Sequence, residues 1–466
     1  MTTTTIDAAM LWTPSGWRSD AGFDSDANGR IRMLERAEPT AGGGWIVPGI
    51  PNLHSHAFQR AMAGLAERRT LDGPAGAAPR DAHDSFWTWR ETMYRMAARF
   101  DPDSLHAVAA QLYAEMLEAG YTTVCEFHYL HHAPDGSRYA DPAAMSRALI
   151  RAARDTGIRL TLLPVLYMSG GFDGRALGER QRRFGHGVDD FLALIDTLRG
   201  DEGDALRVGC ALHSLRAVPP EAMHAVLEAL PRDMPLHIHI AEQVGEVQDC
   251  LALRGARPVE WLLGNADVDA RWTLVHATHL DDVEVQGLAH SGATVAICPT
   301  TEANLGDGLF PLRDFLSAGG AFGVGSDSQS SVSPVEELRW LEYGQRLATR
   351  HRNIAVDGDS PSVGETLLRG VLASGAAATW QAVGKLEAGH CADWIVLDTD
   401  APQFAGVTAG DAVDRWLFSG NRNLVREVHV GGKRVVAEGR HVDRDAIAAR
   451  YRETMHALLA PRAGIS

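Results

Sequence analysis

The chain has 466 residues, of which 45% are hydrophobic and 22% charged, values ordinary for a soluble globular protein with a large core. Its formal net charge of −16 argues against nucleic acid and anionic membranes as partners, because both attract basic faces. The five cysteines form no CxxC pair, and the sequence contains neither a signal-peptide pattern nor an apolar run near bilayer length, so we expect a cytoplasmic protein.

The two ends of the chain share a β-rich pattern. Residues 1–47 contain short apolar runs and turn signals such as DSDANGR, and residues 389–440 contain alternating runs around a Gly-Gly pair typical of a hairpin. We therefore expect both ends to form one small β-sandwich-like domain. The last residues, 441–466, have the spacing of an amphipathic helix.

Between these ends, residues 48–388 alternate short β-branched runs with amphipathic stretches, the pattern of repeated strand and helix units. This pattern predicts an α/β fold with a (β/α)₈ TIM-type barrel. An open doubly wound sheet has the same periodicity, but its ligand site would not draw on the first, fifth, sixth and eighth runs together. The eight runs end at His56, His128, Tyr167, Ser214, Glu242, His279, Thr300 and Ser328.

Side chains that bind metals recur at the ends of separate runs. His54 and His56 are two residues apart, so a strand directs both to the same side. His239 lies in the fifth run and Asp327 in the eighth. An HxH pair alone is weak evidence, but the joint pattern predicts one divalent metal held by these four residues. Such ligands suit zinc, which we expect here, and iron(II) would accept the same ligands.

Neighbouring histidines leave two choices open. His237 shares a strand face with His239 but lies deeper in the run, so we interpret it as a packing residue. In the sixth run we favour His276 over His279 as the residue that faces the site.

Six segments spread along the chain are PGIPNLHSHAFQRAMAGLAE, FWTWRE, EFHYLHH, ALHSLR, HIHIAEQ and GSDSQSSVSP. Together they resemble the amidohydrolase superfamily and, within it, the formimidoylglutamate deiminases. That family hydrolyses N-formimino-L-glutamate to N-formyl-L-glutamate and ammonia in histidine degradation, and the resemblance suggests a homodimer. Some superfamily members hold two metals bridged by a carboxylated lysine. Lysine occurs here only at Lys385 and Lys433, beyond all eight runs, so we expect a mononuclear centre.

The resemblance implies hydrolysis by water activated at the metal. We expect Asp327 to take the first proton, and Glu242 to carry a proton to the departing nitrogen. His276 would orient or stabilise the tetrahedral intermediate. If these residues have no catalytic role, Glu242 is a solvated carboxylate and His276 is a histidine packed in the core.

A substrate with two carboxylates needs fixed cations, and arginine can hold a carboxylate through two parallel hydrogen bonds. Arg216, close to His213, and Arg90, in a segment that could cover the barrel mouth, are the candidates. The resemblance adds Gln59 and Tyr129 as substrate-binding positions. Arg90 could instead pair with its neighbour on a surface helix, and Tyr129 could simply pack.

The aromatic residues beside Arg90, which are Phe86, Trp87 and Trp89, are expected in the core of that covering segment rather than in contact with a ligand. The nearest rival function is a mononuclear deaminase of a purine or pyrimidine, whose substrate lacks two carboxylates. A non-catalytic metal-binding protein is a further alternative, which the presence of Glu242, His276 and Asp327 together disfavours.

Overall fold

The computed structural model describes residues 4–19, 21–33, 44–68, 84–356, 358 and 360–461. The strands are, in chain order, β1 (Thr4–Asp7), β2 (Met10–Thr13), β3 (Gly16–Arg18), β4 (Gly22–Ser25), β5 (Ile31–Met33), β6 (Trp45–Pro48), β7 (Ile50–Ser55), β8 (Tyr121–His128), β9 (Arg159–Leu166), β10 (Leu206–Val208), β11 (Cys210–Ser214), β12 (Leu236–Ile240), β13 (Trp272–His276), β14 (Thr294–Ile297), β15 (Ala321–Val324), β16 (Trp394–Leu397), β17 (Val425–Val430), β18 (Lys433–Ala437) and β19 (Arg440–His441).

Four of the described helices begin after a side chain that accepts a backbone N–H and end at a left-handed residue, as capping rules predict; the helix Pro102–Ala119, for example, starts after Asp101 and stops at Gly120. The helices are α1 (Phe86–Ala97), α2 (Pro102–Ala119), α3 (Ala144–Thr156), α4 (Val188–Arg199), α5 (Pro220–Ala229), α6 (Val244–Arg254), α7 (Pro258–Asn265), α8 (Asp282–Ser291), α9 (Pro299–Leu305), α10 (Leu312–Ser317), α11 (Pro334–Thr349), α12 (Val363–Thr379), α13 (Ala412–Phe418) and α14 (Arg444–Leu459). Short 3₁₀ helices span Ala57–Met62, Glu179–Phe184 and Pro402–Phe404.

Eight parallel strands form the barrel, in the order β7, β8, β9, β11, β12, β13, β14, β15. The ring closes between the end of β7 and the segment after β15. There the N–H of His56 donates to the carbonyl of Asp327 at 3.2 Å, and the N–H of Asp327 donates to the carbonyl of His54 at 3.0 Å. The predicted (β/α)₈ barrel is confirmed, and three of the expected metal ligands, His54, His56 and Asp327, form the backbone bonds that close it.

The first predicted run, which was expected to be one strand, divides at Gly49. β6 pairs with β16 outside the barrel, whereas β7 pairs with β8 inside it. A Cβ on Gly49 would lie 2.1 Å from the hydroxyl of Thr122, so only glycine fits where the chain passes from one sheet to the other. The sequence pattern missed this division because a single residue, Gly49, separates the two strands.

Strands from both chain ends form the second sheet, ordered β19, β18, β17, β16, β6, β2, β3, beside a three-stranded sheet of β1, β4 and β5. The two share a small core that includes Phe23 and Trp394, whose rings make an edge contact at 5.2 Å. The expected small β domain from both ends is confirmed. The domain limits 1–47, 48–388, 389–440 and 441–466 stay a prediction.

A buried ion pair joins the barrel to this sheet. The Nε of Arg159 on β9 lies 2.6 Å from an oxygen of Asp393, which precedes β16, and both side chains are almost fully buried. Within the described residues, no helix has the length and apolar character needed to cross a bilayer.

Candidate metal centre

Three imidazoles meet at the carboxyl end of the barrel. The Nε2 atom of His54 lies 3.2 Å from that of His56 and 3.0 Å from that of His239. All three side chains are buried. Their positions follow from the strands, because β7 directs His54 inward and ends beside His56, while β12 directs His239 to the same point.

The other ring nitrogens show which atoms carry protons. Nδ1 of His56 donates to the carbonyl of Phe127 at 2.8 Å, and Nδ1 of His239 donates to the carbonyl of His213 at 2.9 Å. A carbonyl can only accept, so in the neutral rings the Nε2 atoms hold lone pairs. Burial lowers the pKa of His54 to about 3 and lowers the pKa values of His56 and His239. The Nε2 lone pairs of these neutral imidazoles converge, and the distances between the Nε2 atoms fit a cation placed among them.

Asp327 completes the donor set. Its Oδ1 lies 3.4 Å from the Nε2 atoms of both His54 and His56. Burial alone would raise the pKa of this carboxyl, but the neighbouring side chains of His54, His276 and His56 hold it well below its usual range. Three neutral imidazoles and one carboxylate suit a divalent metal ion.

A second group of side chains faces the centre from β12, β13 and the end of β14. The Nε2 of His276 lies 3.7 Å from Glu242 and 3.8 Å from Asp327, and its Nδ1 lies 3.3 Å from the carboxylate of Glu302. Burial raises the pKa of Glu242 to about 7. A carboxyl with this pKa can hold or release a proton near neutral pH.

Glu302 orients His276. The oxygen that faces Nδ1 of His276 also accepts the backbone N–H of Cys298 at 2.9 Å, so the carboxylate is fixed and the imidazole is directed toward the centre. Cys298, His276 and Asp327 bring donor atoms within 4.8 Å of one another. Neither Glu302 nor Cys298 was among the predicted residues, although the same strand-end rule applied to CPTTE would have found both.

The cavity above the metal centre gathers the expected substrate residues. Gln59, Arg90, Tyr129, His213 and Arg216 all line it. The amide nitrogen of Gln59 donates to the Tyr129 hydroxyl at 3.0 Å, and the Arg90 guanidinium stands over the rings of Trp87 and Tyr94, at 4.2 and 5.5 Å. The side chain of Glu91, next to Arg90, pairs with Arg180 instead. Arg90 is therefore directed into the cavity by α1.

The aromatic residues of α1 differ from expectation. All three of Phe86, Trp87 and Trp89 line the cavity; Trp87 is 48% exposed and so lies outside any core, whereas Trp89 packs against the buried core as expected. The helix starts after its N-cap Ser85, and its second half is buried in the core through Met93, Tyr94, Met96 and Ala97. His237 matches its interpretation as a packing residue, since it is buried and its Nε2 donates to the carbonyl of Ala378 at 2.9 Å.

Residues 45–435 match the family model of the amidohydrolases, and the chain belongs to this amidohydrolase family. It is 50% identical over 459 residues to a formimidoylglutamate deiminase of Pseudomonas aeruginosa, with 97% of this chain and 99% of that protein covered. The family and the hydrolytic class expected from the motifs are confirmed.

Two solved structures have the same architecture. An amidohydrolase from Brucella melitensis superposes with a TM-score of 0.89 at 43% identity, covering 98% of this chain and 100% of that one. An adenosine deaminase from Xanthomonas campestris with bound zinc superposes with a TM-score of 0.77 at 20% identity, covering 97% and 98%, a likeness of fold alone.

Proposed function

We propose that the chain is a metal-dependent deiminase that hydrolyses N-formimino-L-glutamate to N-formyl-L-glutamate and ammonia. The observation that carries this proposal is a cavity that joins the metal centre to two arginines with free hydrogen-bond donors. The Nε and one terminal nitrogen of Arg90, and one terminal nitrogen of Arg216, are buried without a partner among the described residues.

Unpaired guanidinium donors in a cavity favour an anionic ligand. Leaving such donors without acceptors costs free energy, which a bound carboxylate recovers through charge-assisted hydrogen bonds. Two arginines match the two carboxylates of the substrate. The similarity to the Pseudomonas aeruginosa deiminase supports the same assignment.

The chemistry follows from the groups around His276. A divalent metal bound by His54, His56, His239 and Asp327 would lower the pKa of a coordinated water to about 7. Asp327 accepts a proton of the water whose oxygen bonds to the formimino carbon, and Glu242 carries protons to the departing nitrogen, so that both water protons end on it as its bond to that carbon breaks and ammonia leaves. His276, held by Glu302, orients or stabilises the tetrahedral intermediate.

We also propose the identity of the metal, the cellular compartment and the oligomeric state. Zinc suits three histidines and one carboxylate, and iron(II) would accept the same ligands. The five cysteines are buried free thiols, which suits the reducing cytoplasm. We further propose that the protein is a homodimer and that it acts in histidine degradation.

The decisive experiment measures ammonia release from N-formimino-L-glutamate, guanine, adenosine and cytosine, with metal analysis of the same sample. We expect turnover of the first substrate only. Arg216→Met should lower kcat/KM by about 10²-fold, since a hydrogen-bonded charge contact contributes about 1.5–3 kcal/mol. Turnover of a purine or pyrimidine with none of the formimino compound would refute the proposal in favour of a nucleobase deaminase.

A further inference from the structure

Two tyrosines and a glutamine beside Arg216 form a hydrogen-bond network that the proposed chemistry does not use. The amide nitrogen of Gln181 donates to the hydroxyl of Tyr167 at 2.8 Å and to that of Tyr94 at 3.3 Å. Both tyrosines are nearly fully buried, at 2% and 6% exposure, and both line the cavity. Gln181 itself lies outside it, in the 3₁₀ helix Glu179–Phe184.

The orientation of the Gln181 amide is fixed by a third bond. Its oxygen accepts the backbone N–H of Gly178 at 2.9 Å. A flipped amide would set two donors against each other, so the nitrogen must face the phenols. Because the amide nitrogen has two hydrogens and no free lone pair, both phenol oxygens act as acceptors toward Gln181.

The phenols of Tyr94 and Tyr167 have more O–H protons than their neighbours in this network can accept. Each phenol retains one O–H proton that Gln181 cannot accept. The guanidinium of Arg216 interacts with Tyr167, and that of Arg90 lies over the Tyr94 ring, but guanidinium groups also only donate. A hydrogen bond between the two phenols would use one proton of the two. At least one phenolic O–H therefore has no acceptor among the residues that the structure describes, and both tyrosines line the cavity.

We propose that Tyr94 and Tyr167 bind the substrate, donating a phenolic hydrogen bond to the carboxylate that Arg216 holds, and that Gln181 is the positioning residue that orients them. This inference rests on the proposed function and extends it. A carboxylate is the ligand that accepts from every group present, because the guanidinium and the phenol both offer only protons there. An amide or hydroxyl would leave one of these donors poorly matched.

The test removes only the hydroxyl groups. In Tyr94→Phe/Tyr167→Phe we expect KM for N-formimino-L-glutamate to rise about 10- to 100-fold, with kcat changed less than about threefold, because a hydrogen bond to a charged group is lost. Tyr343→Phe, on the outer side of α11, is the matched control. The same assay uses the two monoamides of the substrate, each lacking one carboxylate. For the monoamide that lacks the contacted carboxylate, the double variant should change KM less than about threefold.

Gln181→Glu tests the positioning role. A carboxylate at this position accepts phenolic protons, so the hydroxyl groups turn away from the cavity although the side-chain shape is kept. We expect KM to rise in the otherwise unaltered protein by more than it rises in the Tyr94→Phe/Tyr167→Phe background. The added charge acts in both backgrounds, so the difference isolates the reorientation of the phenols.

The outcomes separate this inference from the proposed function. Unchanged KM in the double variant, or equal losses on the substrate and both monoamides, would overturn the role of the phenols while leaving the deiminase intact. If the unaltered protein releases no ammonia from N-formimino-L-glutamate, the proposed function fails instead. Glutarate binding, measured by calorimetry, then tests the role of the phenols directly. If the unaltered protein and the double variant bind glutarate with equal affinity, that role is refuted.

Discussion

At the metal centre, several non-glycine residues adopt a left-handed backbone conformation, with positive φ. These positions end barrel strands, where the chain must turn sharply while its side chains stay directed inward. Such backbone costs about 1 kcal/mol or more for each residue, and it persists because the surrounding barrel determines it. The residues and their φ values are Ala241 at 52°, His276 at 69°, Ala277 at 50°, Asp327 at 43° and Gln329 at 62°.

Glu242 follows one of these strained positions, and its proposed task is proton transfer rather than metal binding. Its carboxylate faces His276, and its backbone N–H is held by Glu246 at 3.1 Å. We expect Glu242→Gln to keep the metal content and to lower kcat by about 10²- to 10⁴-fold, because an amide cannot relay a proton. Ammonia release and metal analysis check this, with the exposed Glu228→Gln as control. Normal turnover in Glu242→Gln would remove the assigned role.

At the scale of elements, one buried carboxyl connects the two strands that begin the barrel. Glu126 on β8 accepts the hydroxyl of Ser55 at 2.8 Å and the backbone N–H of Ala57 at 2.6 Å. These two partners flank His56 at the end of β7. The bonds of Glu126 therefore position the segment that carries two of the proposed metal-binding histidines.

Glu126 also predicts a pH dependence of stability. Burial raises its pKa from 4.5 to about 8. The folded protein thus binds a proton that the unfolded chain releases, so the contribution to stability is complete below pH 4.5 and is lost as the pH rises toward 8. The slope is at most about 1.4 kcal/mol per pH unit.

Glu126→Gln should flatten this dependence, because a neutral amide does not titrate; its oxygen still accepts the N–H of Ala57, and its nitrogen donates to the hydroxyl oxygen of Ser55. Thermal unfolding at about pH 5.5 and 7.5 measures it, with metal content held equal, and the difference in Tm should be smaller in the variant. An identical pH dependence in both proteins would contradict a raised pKa at Glu126.

Over the whole molecule, the metal centre and the Arg159–Asp393 pair are two of the places where buried polar groups join distant parts of the chain. The metal ligands come from β7, β12 and the segment after β15, which are far apart in sequence. The ion pair connects the barrel to the sheet built from both chain ends. Both sites are buried, so a missing partner leaves uncompensated polar groups in the core.

Metal removal should therefore affect stability as well as activity. After chelation we expect turnover to be lost and Tm to fall, and both should return when a divalent metal is added. A ligand present at a free concentration of about 1,000 times its Kd stabilises the folded state by about 4 kcal/mol. Calorimetric unfolding of the same sample before and after chelation checks this. A metal-free protein with unchanged Tm and activity would argue against the centre.

What the sequence determined by itself was the barrel, the small domain from both ends and the chemical kind of the centre. Strand periodicity is local, and the placement of His54, His56, His239 and Asp327 at run ends followed from it. What only the tertiary structure decided was how separate loops meet. Gln181 contacts Tyr94, 87 residues away, and Glu302 contacts His276 from the next strand's end. Those contacts depend on which loops the closed barrel brings together and on how α1 lies over its mouth, which periodicity does not record.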